Sequence, residues 1–333
     1  MTATNKQILL AARPDGWVKE SDFRITQTPV PSPAEGQVLL KNLYLSLDPY
    51  MRGAMNEKRA YGTALRIGDV MVGETVSEVT DSRNAKFKIG DTVAAYAGWQ
   101  QYAISDGKNL RFVDPHLLPP STYLGVVGMP GVTAWYGLLK IGEPKAGETV
   151  VVSAASGAVG GVVGQIAKIK QCRVVGIAGG RQKCDYVINE LGFDACIDHR
   201  SENWYEALKE ATPKGIDVYF ENVGGPVLDA VLARCNSFAR IPLCGMIAEY
   251  NAKDRYGLKN LISAIGNRIK LQGFIISDHF EVWPEALAQL AQWVREGRIK
   301  YRESVTEGLE SAPAAFVGLF KGENFGKQIV KVA

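Results

Sequence analysis

Residues 150–180 read VVVSAASGAVGGVVGQIAKIKQCRVVGIAGG, and no other stretch of the chain narrows its possible folds so far. Val150 to Val152 is the apolar run of a strand covered on both faces, and Arg173 to Ala178 is a second strand. Between them Ala155, Gly157 and Gly160 fill the three small positions of a G-x-G-x-x-G turn, with alanine in the first. Gly157 lets the backbone come close to a phosphate, and Gly160 lets the next helix pack tightly on its strand. That helix, expected from about Ala158 to Lys170, aims its unpaired N–H groups and the positive end of its dipole at the anion. Strand, small-residue turn, helix and strand in this order are what a dinucleotide pyrophosphate needs.

The end of the second strand refines the ligand. An NAD-binding unit carries Asp or Glu there, about twenty residues after the turn, to bind the ribose 2′-hydroxyl. This chain has Gly179, Gly180, Arg181 and then Lys183. With no acid and two cations, the site is expected to accept a 2′-phosphate, so NADP(H) is read in preference to NAD(H). The alternative is that Arg181 and Lys183 are solvated charges at a helix start.

At 333 residues the chain is long for one core, which favours two domains. The 38 basic and 35 acidic side chains leave a net charge of only +3, with no long basic run, so nucleic-acid binding is not indicated. Two uncharged stretches resemble membrane spans by composition. Leu117 to Leu139 is broken by Pro119, Pro120 and Pro130, and Thr149 to Ala167 contains the glycine turn, so neither is a continuous apolar helix. Ile8 to Ala12 is too short for a secretory apolar core, and a cytoplasmic protein is expected. The five cysteines (Cys172, Cys184, Cys196, Cys235 and Cys244) include no C-x-x-C pair and suit reduced thiols. His116, His199 and His279 lie far apart, and nothing proposes a metal site.

To about residue 120 the chain is rich in strands and turns. Alternations such as Gln37 to Leu47 and Val70 to Val79 are punctuated by Pro and Gly, and Lys88 to Tyr96 and Trp99 to Asp106 read as adjacent strands of a small barrel-like fold. Helix and strand then alternate. Six strands are expected at Thr149 to Ser153, Arg173 to Ala178, Ala195 to Asp198, Ile216 to Asn222, Phe238 to Cys244 and Ile269 to Ile276. Helices between them, such as Arg181 to Gly192, Glu202 to Ala211 and Gly225 to Cys235, complete a doubly wound α/β sheet. A helix from Phe280 to Glu296 would turn Phe280, Trp283, Leu287, Leu290 and Val294 to the core. The tail, with a helix around Ala312 to Phe320 and a strand at Gln328 to Val332, is expected to return to the first domain. The fold class is therefore α/β, a six-stranded parallel Rossmann sheet (123–299) plus a smaller, mostly β, barrel-like domain (1–122 and 300–333).

Seven ordered segments carry a family resemblance: Leu43 to Gly53 (LYLSLDPYMRG), Val127 to Leu138, Ala154 to Lys168, Val218 to Gly225 (VYFENVGG), Cys244 to Asn251 (CGMIAEYN), Leu271 to Ile276 and Gly322 to Lys331 (GENFGKQIVK). Through nearly its whole length the chain resembles the medium-chain dehydrogenase/reductase superfamily. Within it, the resemblance is to the zinc-independent leukotriene and prostaglandin reductases and the alkenal double-bond reductases, whose small domain is GroES-like. Zinc alcohol dehydrogenases of that superfamily take a cysteine ligand in the region of LSLDPY and a histidine within G-H-E, where this chain has Val72-Gly73-Glu74. Their structural zinc needs four cysteines in the first domain, and here none precedes Cys172. Without a Lewis acid, hydride exchange with an unactivated alcohol loses its main polarising group.

The resemblance implies reduction of the C=C bond of an α,β-unsaturated ketone or aldehyde, with hydride delivered to the β-carbon and the enolate oxygen stabilised by the cofactor ribose and a tyrosine. It implies that Tyr250 is that catalytic donor, a phenol protonated at neutral pH; the alternative is a buried tyrosine at a strand-to-loop junction. Tyr50 is the candidate substrate contact, and Arg52 is read as a framework residue. For the cofactor it implies Gly157, Ala158, Val159 and Gly160 on the pyrophosphate, and Gly179, Arg181, Lys183 and His199 around the adenosine phosphate, His199 standing where relatives often have tyrosine. It implies Asn222 through its amide, Cys244, Gly245, Met246, Ile247, Ala248, Glu249 and Tyr250 with Phe274, Ile275 and Ile276 along the nicotinamide half, and Asn324 closing over the cofactor. His116 and His279 are read as structural or loop residues. A homodimer through nucleotide-domain edge strands is implied as well. Two rival readings stay open: NADPH-dependent quinone reduction, and a non-catalytic NADP-binding protein. Pocket shape rests on the loops Asn56 to Arg66 and Ala252 to Gly266, whose conformation is not derivable from sequence.

Overall fold

A computed structural model describes residues 4–58 and 64–332, so positions 59–63 of the Asn56 to Arg66 loop lie outside the described residues. The chain divides into two compact units, Met1–Gly125 with Glu303–Ala333, and Val126–Arg302.

The first unit opens with β1 (Thr4–Leu10) antiparallel to β2 (Phe23–Pro29). There follow β3 (Val38–Ser46), a one-turn helix α1 (Met51–Ala54), β4 (Thr75–Ser82), β5 (Thr92–Ala95), β6 (Tyr102–Ser105) and β7 (Arg111–Phe112). One expectation fails here. The strands read from Lys88 to Tyr96 and from Trp99 to Asp106 are present as β5 and β6, but β5 pairs with β4 and β7 while β6 pairs with β3. Alternation marks a strand and its buried face without naming its partner.

The second unit starts with α2 (Met129–Tyr136) and runs through β8 (Thr149–Ser153), α3 (Gly160–Ile169), β9 (Arg173–Ala178), α4 (Arg181–Asn189), β10 (Ala195–Asp198), α5 (Trp204–Ala211), β11 (Ile216–Phe220), α6 (Gly225–Leu232), β12 (Cys235–Leu243), α7 (Ser263–Gly266), β13 (Lys270–Gly273) and α8 (Trp283–Arg295). Its sheet is parallel throughout, in the order β10-β9-β8-β11-β12-β13. The Val-rich β8 is buried along its length because helices cover both faces, and Val151, Val175, Ile177, Tyr219, Val231 and Ile241 share one core. Each such side chain contributes about 1.5–3 kcal/mol by leaving water. The strand order reverses between β8 and β11, the point at which an open α/β sheet opens a crevice at its carboxyl edge.

Two boundaries correct the reading above. The glycine-turn helix starts at Gly160, since residues 154–159 are spent on the turn. The helix expected from Phe280 starts at Trp283, with Pro284 in its first turn, so Phe280 falls in a preceding 3₁₀ turn and is 64% exposed. The buried stripe is Ala286, Leu290 and Trp293, at i, i+4 and i+7.

The chain then returns to the first unit through β14 (Glu303–Glu307), α9 (Ala312–Lys321) and β15 (Lys327–Lys331). The larger sheet of that unit runs β14-β15-β3-β4-β5-β7, with β15 parallel to β14 and antiparallel to β3. Its core stacks Phe23 on Trp99, ring centroids 5.4 Å apart, with Phe316 edge-on to Trp99 at 5.5 Å.

Candidate functional site

At the carboxyl end of β8 the backbone turns through Ala154, held at φ +50°, and the Ala154 carbonyl accepts the Gly157 N–H at 2.9 Å. A Cβ on Gly157 would lie 3.1 Å from that carbonyl, and a Cβ on Gly160 would collide with it and lie 2.9 Å from its carbon. The turn excludes a side chain at Gly160 and leaves only a tight fit for one at Gly157. Gly157, Ala158, Val159 and Gly160 thus form a tight cradle leading into α3, as an anion site requires.

At the carboxyl ends of β9 and β10 the parallel register sets Ala178 beside Asp198. The Asp198 carboxylate accepts the N–H groups of Gly180 (2.8 Å) and Arg200 (3.0 Å), which fixes the turn. Desolvation pushes that carboxyl up, but those bonds and the neighbouring His199 and Arg200 outweigh it and hold it below the usual range. A Cβ on Gly179 would sit 3.1 Å from both Arg200 Nε and His199 Nε2. Lys183 is lowered by desolvation and by the charge of Arg200; His199 is lowered by desolvation and then by Arg200. Basic side chains therefore group near Gly179, and the end of β9 itself carries Gly179 and Gly180 where an NAD site would carry an acid.

Arg181 is placed elsewhere, its side chain 94% exposed and 3.8 Å from Asp185. Arg200, which the sequence reading passed over, stands beside Gly179 instead. The signal was available: Arg200 follows His199 at the end of the strand that pairs with β9.

After β11, the Asn222 N–H donates to Ser153 Oγ (2.8 Å) and its side-chain amide donates to the Ser153 carbonyl (2.8 Å). The Glu221 carbonyl accepts from Cys244 and Gly245, and the carbonyls of Asn222 and Val223 accept from Ile247 and Ala248. The segment from Cys244 to Glu249 is thereby laid across the end of β11, with Cys244 pushed up to about 12 by burial and by Glu221. Tyr250 folds back over it: its hydroxyl accepts the Met246 N–H at 3.2 Å and would lie 3.0 Å from a Cβ on Gly245. Phe274 packs edge-on to Phe220 and against Tyr136, while Ile275 is partly buried and Ile276 buried. His279 stacks on Tyr136 and shares a 3.0 Å hydrogen bond with its hydroxyl.

In the first unit, the hydroxyls of Tyr50 and Tyr96 are 2.6 Å apart, and Tyr50 is raised well above the ordinary phenol range by burial, then by Tyr96 and Asp48. Arg52 is buried and donates to Asn56 Oδ1 and the Gly16 carbonyl, a framework contact. His116 is exposed in a loop. The Asn324 amide donates to the Gly326 carbonyl at 2.8 Å.

The donor set does not fit a catalytic zinc. Where zinc relatives carry the histidine ligand, a Cβ on Gly73 would already lie 2.8 Å from Leu45 Cδ1 and 3.2 Å from the Trp99 ring. Glu74 instead pairs with Arg111 at 2.9 Å, and its carboxyl is raised by burial. Among the described residues no three His, Cys, Asp or Glu side chains group to hold a metal.

Comparison with known proteins agrees with this geometry. Residues 6–113 match a family described as the N-terminal domain of oxidoreductase, and residues 158–292 match one described as zinc-binding dehydrogenase. The chain is 51% identical to the NADPH-dependent curcumin reductase of Escherichia coli (strain K12) over 336 residues, 99% of this chain and 97% of the relative. It is 42% identical to the NADP(+)-dependent 2-alkenal reductase of Nicotiana tabacum over 336 residues, 99% of this chain and 98% of the relative. The crystal structure of CurA from Vibrio vulnificus in complex with NADPH superimposes with a TM-score of 0.94 at 50% identity, covering 98% of this chain and 99% of that one. The two-unit fold, the glycine cradle and these relatives together place the chain in the medium-chain dehydrogenase/reductase superfamily, among the curcumin, alkenal and prostaglandin reductases.

Proposed function

We propose that this protein is an NADPH-dependent reductase of the C=C bond of α,β-unsaturated ketones and aldehydes. The observation that carries the cofactor choice is the grouping of Lys183, His199 and Arg200 near the end of β9, where Gly179 and Gly180 stand in place of the acid of an NAD site, a setting for a 2′-phosphate and not for a bare ribose diol. Relatives named for NADPH-dependent curcumin reduction and for 2-alkenal reduction support the reaction type. When bound, the reduced nicotinamide supplies a hydride equivalent.

The protein's own task is then to hold the carbonyl and stabilise the negative charge that develops on its oxygen. Tyr250 is assigned that role. Its oxygen accepts the Met246 N–H, and an accepted hydrogen bond polarises a phenol toward donating its own proton. Tyr50 is assigned to substrate binding, and Asn222, Cys244 to Glu249, Phe274 to Ile276 and Asn324 to the cofactor. The two units are proposed as the substrate and nucleotide domains.

A homodimer is proposed at the edge of the nucleotide sheet. There β13 is the outermost strand, and Phe238, Leu261, Ile262 and Ile265 beside it are 64%, 48%, 72% and 76% exposed. A monomeric mass by light scattering would remove that assignment. Cytoplasmic location is proposed on the free thiols; no helix among the described residues is long and apolar enough to cross a membrane.

NADPH oxidation measured with a series of enones and enals against a series of quinones tests the reaction. Turnover of the alkenes, with the saturated carbonyl as product, is expected. Turnover restricted to quinones would replace the reading with quinone reduction, and NADPH binding with no turnover on either series would leave a binding protein.

A further inference from the structure

Glu221 follows β11 at the carboxyl edge of the sheet and has no exposed surface. One of its carboxyl oxygens, Oε1, accepts three hydrogen bonds: from Ser153 Oγ at 3.0 Å, from the Val223 N–H, and from the Gly224 N–H at 3.0 Å. Its main-chain carbonyl accepts two more, from Cys244 at 3.0 Å and Gly245 at 3.2 Å. A single residue thereby ties together the ends of β8, β11 and β12, on both sides of the point where the strand order reverses. Ser153 Oγ also accepts the Asn222 N–H, while the Ser153 carbonyl takes the Asn222 amide, so the orientation of the Asn222 side chain is fixed through Ser153.

We propose that Glu221 is a positioning residue for the dinucleotide, acting through Ser153 to set the Asn222 amide and through Val223 and Gly224 to set the turn behind it. This rests on the NADPH reading given above. Packing alone does not ask for an acid in this place. The second oxygen, Oε2, and the nearby Tyr219 hydroxyl are both buried and form no hydrogen bond of good geometry among the described residues, although the hydroxyl interacts with the Glu221 carboxyl. Burying a carboxyl with no cation beside it costs free energy whether it ionises or keeps its proton, and burial does raise this group. A side chain kept under that penalty at the strand ends, with its other oxygen fully used, is there for the geometry it imposes.

The test is the dissociation constant for NADPH, by fluorescence titration, in the wild type, E221A, E221Q, S153A and the E221A/S153A double variant, with thermal melting as a check on folding. E221A is expected to weaken NADPH binding roughly tenfold. E221Q, whose carbonyl still accepts the three bonds, is expected to restore most of that loss. The double variant should be no weaker than E221A alone, because both changes cut the same link. In turnover, KM for NADPH should follow Kd while KM for the enone stays within about twofold. A folded E221A that binds NADPH like the wild type, or losses that add in the double variant, would overturn the proposal. If E221A does not fold, S153A decides alone: unchanged affinity overturns the proposal and weakened affinity supports it. Failure of the wild type itself to bind NADPH would instead sink the cofactor reading, and this inference with it.

Discussion

The Lys327 ammonium lies 2.9 Å from the Asp48 carboxylate, and the two side chains are only 5% and 8% exposed. Lys327 also donates to the Leu47 carbonyl at 2.7 Å, and Ser46 donates to the other Asp48 oxygen. This pair pins the last strand to the segment that carries Tyr50. Removing one partner leaves the other charge buried without its contact counter-ion, which costs about 3–5 kcal/mol. Lys327→Ala and Asp48→Ala should each lower stability by that order in urea denaturation. A loss below about 1 kcal/mol would show that the pair is solvated.

Arg200→Ala and Lys183→Ala should each weaken NADPH binding by roughly 10- to 100-fold, the worth of a charge-assisted bond to a phosphate. Arg181→Ala should stay within about twofold, since its side chain faces solvent beside Asp185. NADH binding should barely respond to any of the three. Equal losses for NADH and NADPH would detach these cations from the 2′-phosphate.

His199 is held below the ordinary imidazole value of about 6.5 by desolvation and by the positive charges of Arg200 and Lys183. A phosphate placed among these groups favours the protonated ring, so binding raises the pKa and takes up a proton. The added affinity is therefore present at acid pH and fades as pH rises through the value in the complex. The 2′-phosphate itself works the other way, gaining charge near pH 6. Titrations of Kd against pH isolate the ring: the difference between wild type and His199→Ala should be largest below about pH 6 and shrink toward pH 8. A difference constant over that range would rule out protonated His199 as a ligand.

Tyr250→Phe keeps the ring and removes the hydroxyl. If that hydroxyl stabilises the developing oxyanion, kcat/KM on an enone should fall about 10²- to 10³-fold with little change in NADPH affinity. A variant within threefold of wild type would reduce Tyr250 to a brace for the Met246 backbone.

Ala154 holds a left-handed backbone, φ +50°, that costs an L side chain roughly 1–2 kcal/mol, part of which glycine gives back as chain entropy. Ala154→Gly should therefore raise stability by about 0.5–1 kcal/mol in urea denaturation. A loss would mean that the alanine methyl contributes more by packing than its conformation costs.

What the sequence made legible follows from locality. Residues Arg173 to Ala178 and Ala195 to Asp198 form strands at the boundaries read from their apolar runs, because a buried parallel strand announces itself residue by residue. Partnership is not local. Thr92–Ala95 and Tyr102–Ser105 are near neighbours in sequence but belong to different strand pairs, and nothing in either segment encodes which. The site divides the same way. Gly157 and Gly160 were readable from spacing alone, whereas Arg200 joins Lys183 only through the register of β9 with β10. Glu221 escaped notice because VYFENVGG reads as a strand end whose asparagine looks outward, and an acid directed inward has no mark in the sequence.

The seating of β15 between β14 and β3 has a consequence for biosynthesis. The strands of the nucleotide sheet, the last of which ends at Gly273, have left the ribosome before the strand that covers Tyr44 to Ser46 on β3 emerges. The nucleotide unit can therefore be folded while the first unit still waits with part of a central strand edge bare, an edge open to pairing with other chains. In a nascent chain arrested before Lys327, the strand edge left bare belongs to the unit that emerged first.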